Sequence, residues 1–167
     1  MTSSAYIMLI PDEAYMAARP KTKEHHLTIA DFGLVDAIPP EGLARLRSTV
    51  QSLARYMGGP LYGTANGVGL FDAGNDGFAI VDLVDGMDTF HCRAFIERMF
   101  GDRRFGYTLD NVRIAYRHGF TPHITREYLN AEDDFYGEVN PSVIDHHPIT
   151  FTSIALWHGD TKYGVPL

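Results

Sequence analysis

The sequence predicts an α+β protein in which two helices pack against an antiparallel or mixed sheet. Along the chain, the predicted order is two strands, a helix, two strands, a second helix and then further strands. Both helical segments are apolar on one face only, so each is expected to cover one side of the sheet. A doubly wound α/β protein would instead alternate strands with helices along the chain.

The first two strands are predicted from short apolar runs that end at turn residues. Residues 5–10 form an apolar segment that ends at Pro11 and Asp12. Residues 26–32 follow a charged connector, alternate between the two faces of a strand and end at Gly33. Each run has the length of an ordinary strand.

Two amphipathic helices are predicted. The first begins at Pro39 and Pro40, because proline is tolerated in a first helical turn, and it ends at a Gly-Gly-Pro sequence. Its apolar residues recur at helical spacing; they are Leu43, Leu46, Val50, Leu53 and Met57. The second helix is expected to be capped by Asp88 and to run through Phe100, with Gly101 after it. Its expected buried residues are Phe90, Ala94, Phe95 and Met99.

The remaining strands complete a single domain over residues 1–167. Strands at 61–72 and 77–85 flank a turn, which makes a hairpin the simplest arrangement. Further strands are expected at residues 112–116, 121–128 and 149–157, with an acidic, aromatic loop at 130–136. No low-complexity tract or linker divides the sequence, and its 167 residues fit one domain of ordinary size.

The composition favours a small phosphorylated ligand over a long nucleic acid. The formal net charge is −7, whereas sequence-independent binding to duplex DNA or long RNA needs Lys and Arg to displace counterions. A few local donors can still bind one phosphate against this overall field. No apolar run approaches the roughly 18 residues that span a bilayer, and the first residues lack the basic start of a signal peptide. We therefore expect a cytoplasmic protein with no membrane partner.

Two segments share the pattern histidine, aliphatic, threonine. They are His26-Leu27-Thr28 and His123-Ile124-Thr125. Side chains alternate along a strand, so each histidine and its threonine point to one side, about 7 Å apart, while the aliphatic residue packs on the other side. Pro122 gives the second segment an extended entry. One such match carries little information, but two matches 97 residues apart point to a repeated unit.

This pattern suits metal-independent chemistry on a phosphate ester. Opening a cyclic phosphate, or attack by a ribose hydroxyl on its phosphodiester, needs one group to take a proton and another to give one. Histidine does either near neutral pH, because its ordinary pKa is about 6.5. Two histidines on opposite sides of one phosphorus would supply the acid and the base. A threonine hydroxyl beside each can donate to the non-bridging oxygens as they gain charge.

The two segments resemble the motifs of the two-histidine phosphoesterase superfamily, which includes the RNA 2′,5′-ligase-like proteins and the cyclic phosphodiesterases. The similarity covers the first motif, the run Thr121-Pro122-His123-Ile124-Thr125 and the order of elements over nearly the whole chain. It implies a bilobal, pseudo-twofold fold of two small sheets around a central groove, with helices outside. It also implies that the motifs face each other across the groove and that no metal or other cofactor is used.

The resemblance further implies a nucleotide substrate. Family members open cyclic phosphates or cleave 2′,5′-type or cyclic-oligonucleotide linkages, and some phage relatives degrade cyclic-nucleotide immune signals. The chain departs from the commonest family pattern at Arg126, where many relatives carry a small or aliphatic residue, and at residues 157–160. Four aromatic residues near the motifs are candidates to stack a nucleobase: Tyr6, Tyr116, Tyr128 and Trp157.

Other interpretations of the sequence stay open. A nucleotide-binding module with the same fold could hold a phosphate without turnover. A metal-dependent hydrolase built on His146 and His147 is a weaker alternative, since adjacent histidines in an extended segment point apart. His25 is expected to be structural because alternation turns it away from His26. The single cysteine, Cys92, is expected to be a helix residue without a chemical role.

Overall fold

The computed structural model describes residues 4–18, 24–73, 77–100, 120–129 and 146–167. Within these ranges the chain forms seven strands, three helices and one short 3-10 turn at Val35–Ala37. The strands are β1 (Ser4–Pro11), β2 (Leu27–Leu34), β3 (Leu61–Asp72), β4 (Phe78–Asp85), β5 (His123–Leu129), β6 (His146–His158) and β7 (Thr161–Pro166). The helices are α1 (Glu13–Ala18), α2 (Pro40–Met57) and α3 (Met87–Phe100).

The described strands form one antiparallel sheet with the order β1-β2-β5-β4-β3-β6-β7. β1 also pairs with β6, so the hydrogen-bonded path that leaves β1 through β2 returns to it through β6. The predicted α+β class is therefore confirmed. The expectation of two separate sheets is wrong for the described strands, and the bilobal, pseudo-twofold arrangement stays a prediction.

The long strand β6 pairs with both β3 and β1. Its first half pairs with β3, from Asn66 opposite His146 to Leu61 opposite Phe151. Its second half pairs with β1, from Pro11 opposite Phe151 to Ala5 opposite His158. This strand of 13 residues is as long as two ordinary strands, and it joins β3 to β1.

The helix α2 follows the predicted pattern from end to end. Pro40 stands in its first turn, and Gly58 ends it in the left-handed conformation at φ 73°. The buried stripe includes Leu46, Val50 and Leu53, which recur at steps of three and four residues. These side chains join the main core cluster, so α2 covers the side of the sheet that carries Leu27 and Ile29.

The helix α3 buries a different stripe from the predicted one. Its buried residues are Thr89, Cys92, Ile96 and Phe100, while Phe90 is 46% exposed and Ala94 is also exposed. Both stripes have helical spacing, so periodicity could not choose between them, and contact with the sheet decides. Phe95 and Met99 are partly buried beside the core.

The predicted cap of α3 is also wrong. Asp88 lies inside the first turn rather than before it, and its carboxylate accepts the backbone N–H of Tyr62 at 2.7 Å. Burial raises the pKa of the Cys92 thiol to about 12, with the nearby charge of Asp88 as a smaller cause. A thiol with this pKa is a poor nucleophile, in agreement with a packing role for Cys92.

Two elements were not predicted, and three predicted segments lie outside the described residues. The short helix α1 buries Tyr15 completely, and β7 adds an edge strand beside β6. The turn residues 74–76, the predicted strand at 112–116 and the predicted loop at 130–136 all fall outside the described ranges. In the part of the chain that the structure describes, no helix is long and apolar enough to cross a membrane.

Candidate active site

The two histidine motifs lie on neighbouring strands. β2 and β5 pair antiparallel through a single register position, Leu27 opposite Ile124, which are the central residues of the motifs. Continuing that register by one residue each way places His26 opposite Thr125 and Thr28 opposite His123. Two segments that are distant in sequence therefore meet side by side in the sheet.

All four polar side chains of the motifs share one face of these strands. The central residues Leu27 and Ile124 are completely buried and belong to the main core cluster. The histidines and threonines alternate with them, and each is partly exposed to solvent: His26, Thr28, His123 and Thr125. The structure therefore gathers two imidazoles and two hydroxyls on one accessible surface, as the alternation predicts.

The two imidazole rings are held in the same way. Nδ1 of His26 lies 3.2 Å from the carbonyl oxygen of Glu24, and Nδ1 of His123 lies 2.7 Å from that of Thr121. A carbonyl oxygen only accepts, so Nδ1 carries the proton in both rings. In the neutral rings Nε2 is then the unprotonated nitrogen, which is able to accept a proton from a bound ligand.

An aromatic ring lies edge-on to each histidine. The ring centroids of Trp157 and His26 are 5.9 Å apart, and those of Phe71 and His123 are 4.6 Å apart. Phe71 leans over Gly69, where an added Cβ would lie 3.4 Å from its ring, 3.0 Å from Val81 and 3.2 Å from Leu83. A side chain at position 69 would crowd this contact, so the glycine leaves room for it.

His26 has a pKa below its ordinary value of 6.5. Burial is the main cause, since it penalises the charged ring. The carbonyl and the carboxylate of Glu24 oppose this effect, whereas the charges of Lys162 and His123 add to it.

Two of the four predicted stacking residues, Tyr6 and Trp157, lie together on the motif face of the sheet. Tyr6 and Trp157 are opposite each other on β1 and β6, and both pack on a small apolar cluster of Met8, Ile10 and Ala155. Met8 is opposite Thr28, so this cluster lies on the motif face of the sheet. Trp157 also donates its Nε1–H to the carbonyl oxygen of Gly159 at 2.9 Å.

Tyr128 lies on β5, five residues after His123. Its side chain is 48% exposed, and it stands opposite Ala79, which is in turn opposite Phe71. Tyr116 falls outside the described residues, so its proposed role stays a prediction.

Behind the second motif lies a buried charged cluster. Arg126 forms an ion pair with Asp82, with Nε 2.7 Å from Oδ1, and the Tyr15 hydroxyl donates to Oδ2 at 2.6 Å. Asp82 is opposite Ile124, on the face of the sheet away from Thr125. Arg126 is thus engaged behind the motif, in keeping with the alternation that turns it away from Thr125.

The other histidines named from the sequence do not join this site. His25 is buried and lies edge-on to Tyr15 at 5.5 Å, which agrees with a structural role. His146 is exposed, whereas His147 is partly buried and lies 5.7 Å from the Tyr15 ring. Among the residues that the structure describes, no group of three or more His, Cys, Asp or Glu side chains could hold a metal ion.

Two residues of this surface escaped the sequence analysis. Phe71 gave no signal beyond being an aromatic residue in a strand, and its contact with His123 depends on the pairing of β3, β4 and β5. Lys162 lies on the unpredicted strand β7, opposite Trp157, and forms an ion pair with Glu24. Glu24 and Lys162 are far apart in the sequence, so only the fold shows that they form a pair.

Comparison with solved structures shows which fold the chain has. The protein TT0787 of Thermus thermophilus is similar at a TM-score of 0.59 and 17% identity, over 98% of this chain and 94% of that one. E. coli LigT in its apo form is similar at a TM-score of 0.43 and 15% identity, over 99% of this chain and 95% of that one. The sequence matches no family model and no curated protein.

The likeness to TT0787 establishes a shared fold over almost the whole of both chains. The likeness to LigT is too low to carry an argument. What the protein does must therefore be argued from its own residues.

Proposed function

We propose that this protein is a two-histidine phosphoesterase. It opens a ribose cyclic phosphate, or cuts a short or cyclic oligonucleotide phosphodiester, without a metal ion. The observation that carries the proposal is the pairing of Leu27 with Ile124, which sets two histidine–threonine pairs on one exposed face. A structural role for either motif would not require both histidines to share a face and a tautomer.

The proposed reaction uses one imidazole as the base and the other as the acid. With Nδ1 held by a carbonyl, each Nε2 is directed away from its own strand and can exchange a proton with a ligand. The low pKa of His26 keeps that ring neutral at pH 7, which suits a base that removes a proton from water or a ribose hydroxyl. His123 is then the acid that gives a proton to the leaving oxygen.

The threonines are proposed to bind the phosphate. The register of Leu27 with Ile124, continued by one residue each way, brings Thr28 opposite His123 and Thr125 opposite His26, so each hydroxyl is directed to the side of the sheet that carries the histidine of the other strand. A hydroxyl aimed at a non-bridging oxygen stabilises charge that develops in the transition state. In this arrangement both strands contribute one proton-transfer group and one donor.

The apolar part of the surface favours a nucleotide over a bare phosphate ester. Tyr6, Trp157 and the small cluster beneath them lie beside His26 on the motif face. A base or ribose could pack there while the phosphate meets the two imidazoles, since stacking on an aromatic ring contributes about 1–3 kcal/mol per base. An overall charge of −7 is compatible with a small substrate of this kind.

A substrate panel in EDTA tests the proposal. The panel contains 2′,3′-cyclic mononucleotides, 2′,5′-linked dinucleotides, and cyclic di- and trinucleotides. We expect turnover of at least one member in the presence of the chelator, and a loss of about 10²–10⁴-fold in His26→Ala and in His123→Ala. His146→Ala is the matched control and should keep wild-type turnover.

Three outcomes would contradict the proposal. Binding of a nucleotide with no product from any member would indicate a binding module. Loss of turnover in EDTA, together with loss in His146→Ala or His147→Ala, would indicate a metal-dependent hydrolase. Turnover that survives both motif-histidine substitutions would place the chemistry elsewhere. Within the panel, preference for cyclic oligonucleotides over cyclic mononucleotides would point to degradation of a cyclic-nucleotide immune signal.

A further inference from the structure

A β-bulge follows each histidine motif directly. In β2, Met8 is opposite Thr28 and Ile7 is opposite Ala30, which leaves Ile29 as the extra residue. In β5, Val81 is opposite Thr125 and Ile80 is opposite Glu127, which leaves Arg126 as the extra residue. A bulge changes the direction of the side chains beside it, so whatever fixes these two bulges also fixes the motif side chains.

One side chain contacts both the residue after the first motif and the segment before the second. Arg93, on α3, donates from Nη1 to the carbonyl oxygen of Ile29 at 2.7 Å, at the bulge after Thr28. Its guanidinium carbon also lies 5.3 Å from the ring centroid of Phe120, which precedes His123 by three residues. Arg93 is thus placed between the end of the first motif and the entry to the second.

Arg93 makes three contacts through its guanidinium group. Nε donates to Glu97 at 2.8 Å, one turn along α3, while Nη1 binds the bulge and the guanidinium carbon lies over the Phe120 ring. The Arg93 side chain is only 11% exposed, although Glu97 is 43% exposed. A lysine has one compact charge and no planar face, so it cannot make all three contacts together.

The entry to the second motif is anchored on the same side. The carbonyl oxygen of Pro122 accepts the N–H of Val84 at 2.9 Å, and that of Thr121 accepts Nδ1–H of His123. Moving the segment at Phe120 would therefore move the carbonyl that orients the His123 ring. Arg93 is thus connected through Phe120 to the segment that orients the His123 ring, and through the Ile29 carbonyl to the strand that follows His26.

We propose that Arg93 is a positioning residue, which holds the two histidine motifs at the separation that one phosphate requires. The consequence for turnover rests on the proposed function, whereas the consequence for the placement of the histidines does not. β2 and β5 pair at one residue position only, so the sheet alone gives little control over their separation. A displacement of about 1 Å at such a site can reduce the rate about 10²-fold.

The test compares Arg93→Met and Arg93→Lys with the control Arg98→Met, an exposed arginine on the same helix. On the substrate that the wild type turns over, Arg93→Met should lower kcat about 10²-fold with little change in KM. Arg93→Lys should recover only part of the loss, and Arg98→Met should match the wild type. In a Thr28→Ala background, the effect of Arg93→Met should shrink, because both changes disturb the same motif.

Phe120→Leu provides a second route if Arg93→Met does not fold. It keeps an apolar side chain but removes the aromatic face, and it should lower kcat in the same direction. Full activity of folded Arg93→Lys and Phe120→Leu would overturn the proposal. So would an Arg93→Met loss that adds in full to that of Thr28→Ala, since this would indicate general destabilisation.

A measurement without turnover separates this proposal from the proposed function. The Hε1 chemical shifts of His26 and His123, assigned by NMR, should both change in Arg93→Lys and remain unchanged in Arg98→Met. If the wild type hydrolyses nothing but both signals move, the proposed function fails and the positioning role stands. If neither signal moves, the positioning role fails even where the wild type is active.

Discussion

The main chain after each histidine motif is held by a charged side chain, but the two side chains come from different places. After Thr28, the carbonyl of Ile29 accepts from Arg93 of the helix α3. After Thr125, the bulged residue Arg126 itself carries the charge and is paired with Asp82 of the adjacent strand. The first bulge is held through its backbone from a helix, and the second is held through its side chain from within the sheet.

The two motifs are alike on the face that a ligand can reach and different on the buried face. The features that the two motifs share lie on the exposed face: a carbonyl on Nδ1, an aromatic edge against the ring, and a threonine two residues on. The features that differ lie on the buried face. A ligand would meet the shared groups of both motifs, so we expect the two threonines to be equivalent in their effect on turnover and the two bulges to be unequal in stability.

The largest expected effects on turnover come from replacing the threonines, and these effects should be equal in the two motifs. Thr28→Ala and Thr125→Ala each remove one proposed donor to the phosphate, and each should lower kcat about 10²–10³-fold. Thr28→Ser and Thr125→Ser keep the hydroxyl and serve as controls with near wild-type rates. A large loss in one alanine variant and none in the other would break the equivalence.

The free energy of unfolding should depend more on the ion pair behind the second motif, formed by Asp82 and Arg126, than on the Arg93 contact behind the first. Its side chain is 2% exposed, and Asp82→Asn would leave the Arg126 cation without its counterion, at a cost of about 3 kcal/mol in the free energy of unfolding. Arg93→Met leaves a carbonyl without its charged donor, a smaller cost of about 1–3 kcal/mol. Urea unfolding measures both. Asp85→Asn, on the same strand but exposed, is the control, and a smaller loss for Asp82→Asn than for Arg93→Met would contradict the comparison.

The sequence predicted the strands that carry the motifs and the direction of their side chains, since both follow from local alternation. It did not predict that β2 and β5 are neighbours, because the pairing of Leu27 with Ile124 joins residues that are 97 positions apart. It missed α1, whose six residues are too few for a periodic signal, and β7, which contains Gly164 and Pro166. Phe71 is placed beside His123 by the pairing of β3, β4 and β5, and Lys162 is placed beside Trp157 by the pairing of β7 with β6.

The lowered pKa of His26 should be visible in the pH dependence of the free energy of unfolding. The folded-state pKa of His26 is lowered, so between that value and 6.5 the unfolded chain binds a proton that the folded chain does not. His26 therefore contributes stability that is present above pH 6.5 and is lost as the pH falls toward the folded pKa. Midpoints of thermal unfolding across this window should fall less steeply in His26→Gln than in the wild type. Identical slopes would contradict the assignment.

The smallest effects are expected from the two aromatic neighbours. Trp157→Leu and Phe71→Leu remove an edge contact with His26 and with His123, each worth about 0.5–1.5 kcal/mol. Both should lower kcat/KM by about tenfold or less, with the exposed Tyr62→Leu as the control. A nucleoside substrate that packs on Trp157 would make that variant the more affected of the two, and equal effects would argue against stacking there.

The most direct test of the central claim is a titration of both histidines with one phosphate ligand. In ¹⁵N-labelled protein, a 3′-nucleoside monophosphate is added while the Nε2 signals of His26 and His123 are followed. We predict that both signals shift together with one dissociation constant, while each Nδ1 keeps its proton. Movement of only one signal, or saturation of the two at different concentrations, would show that the imidazoles do not meet at a single phosphate.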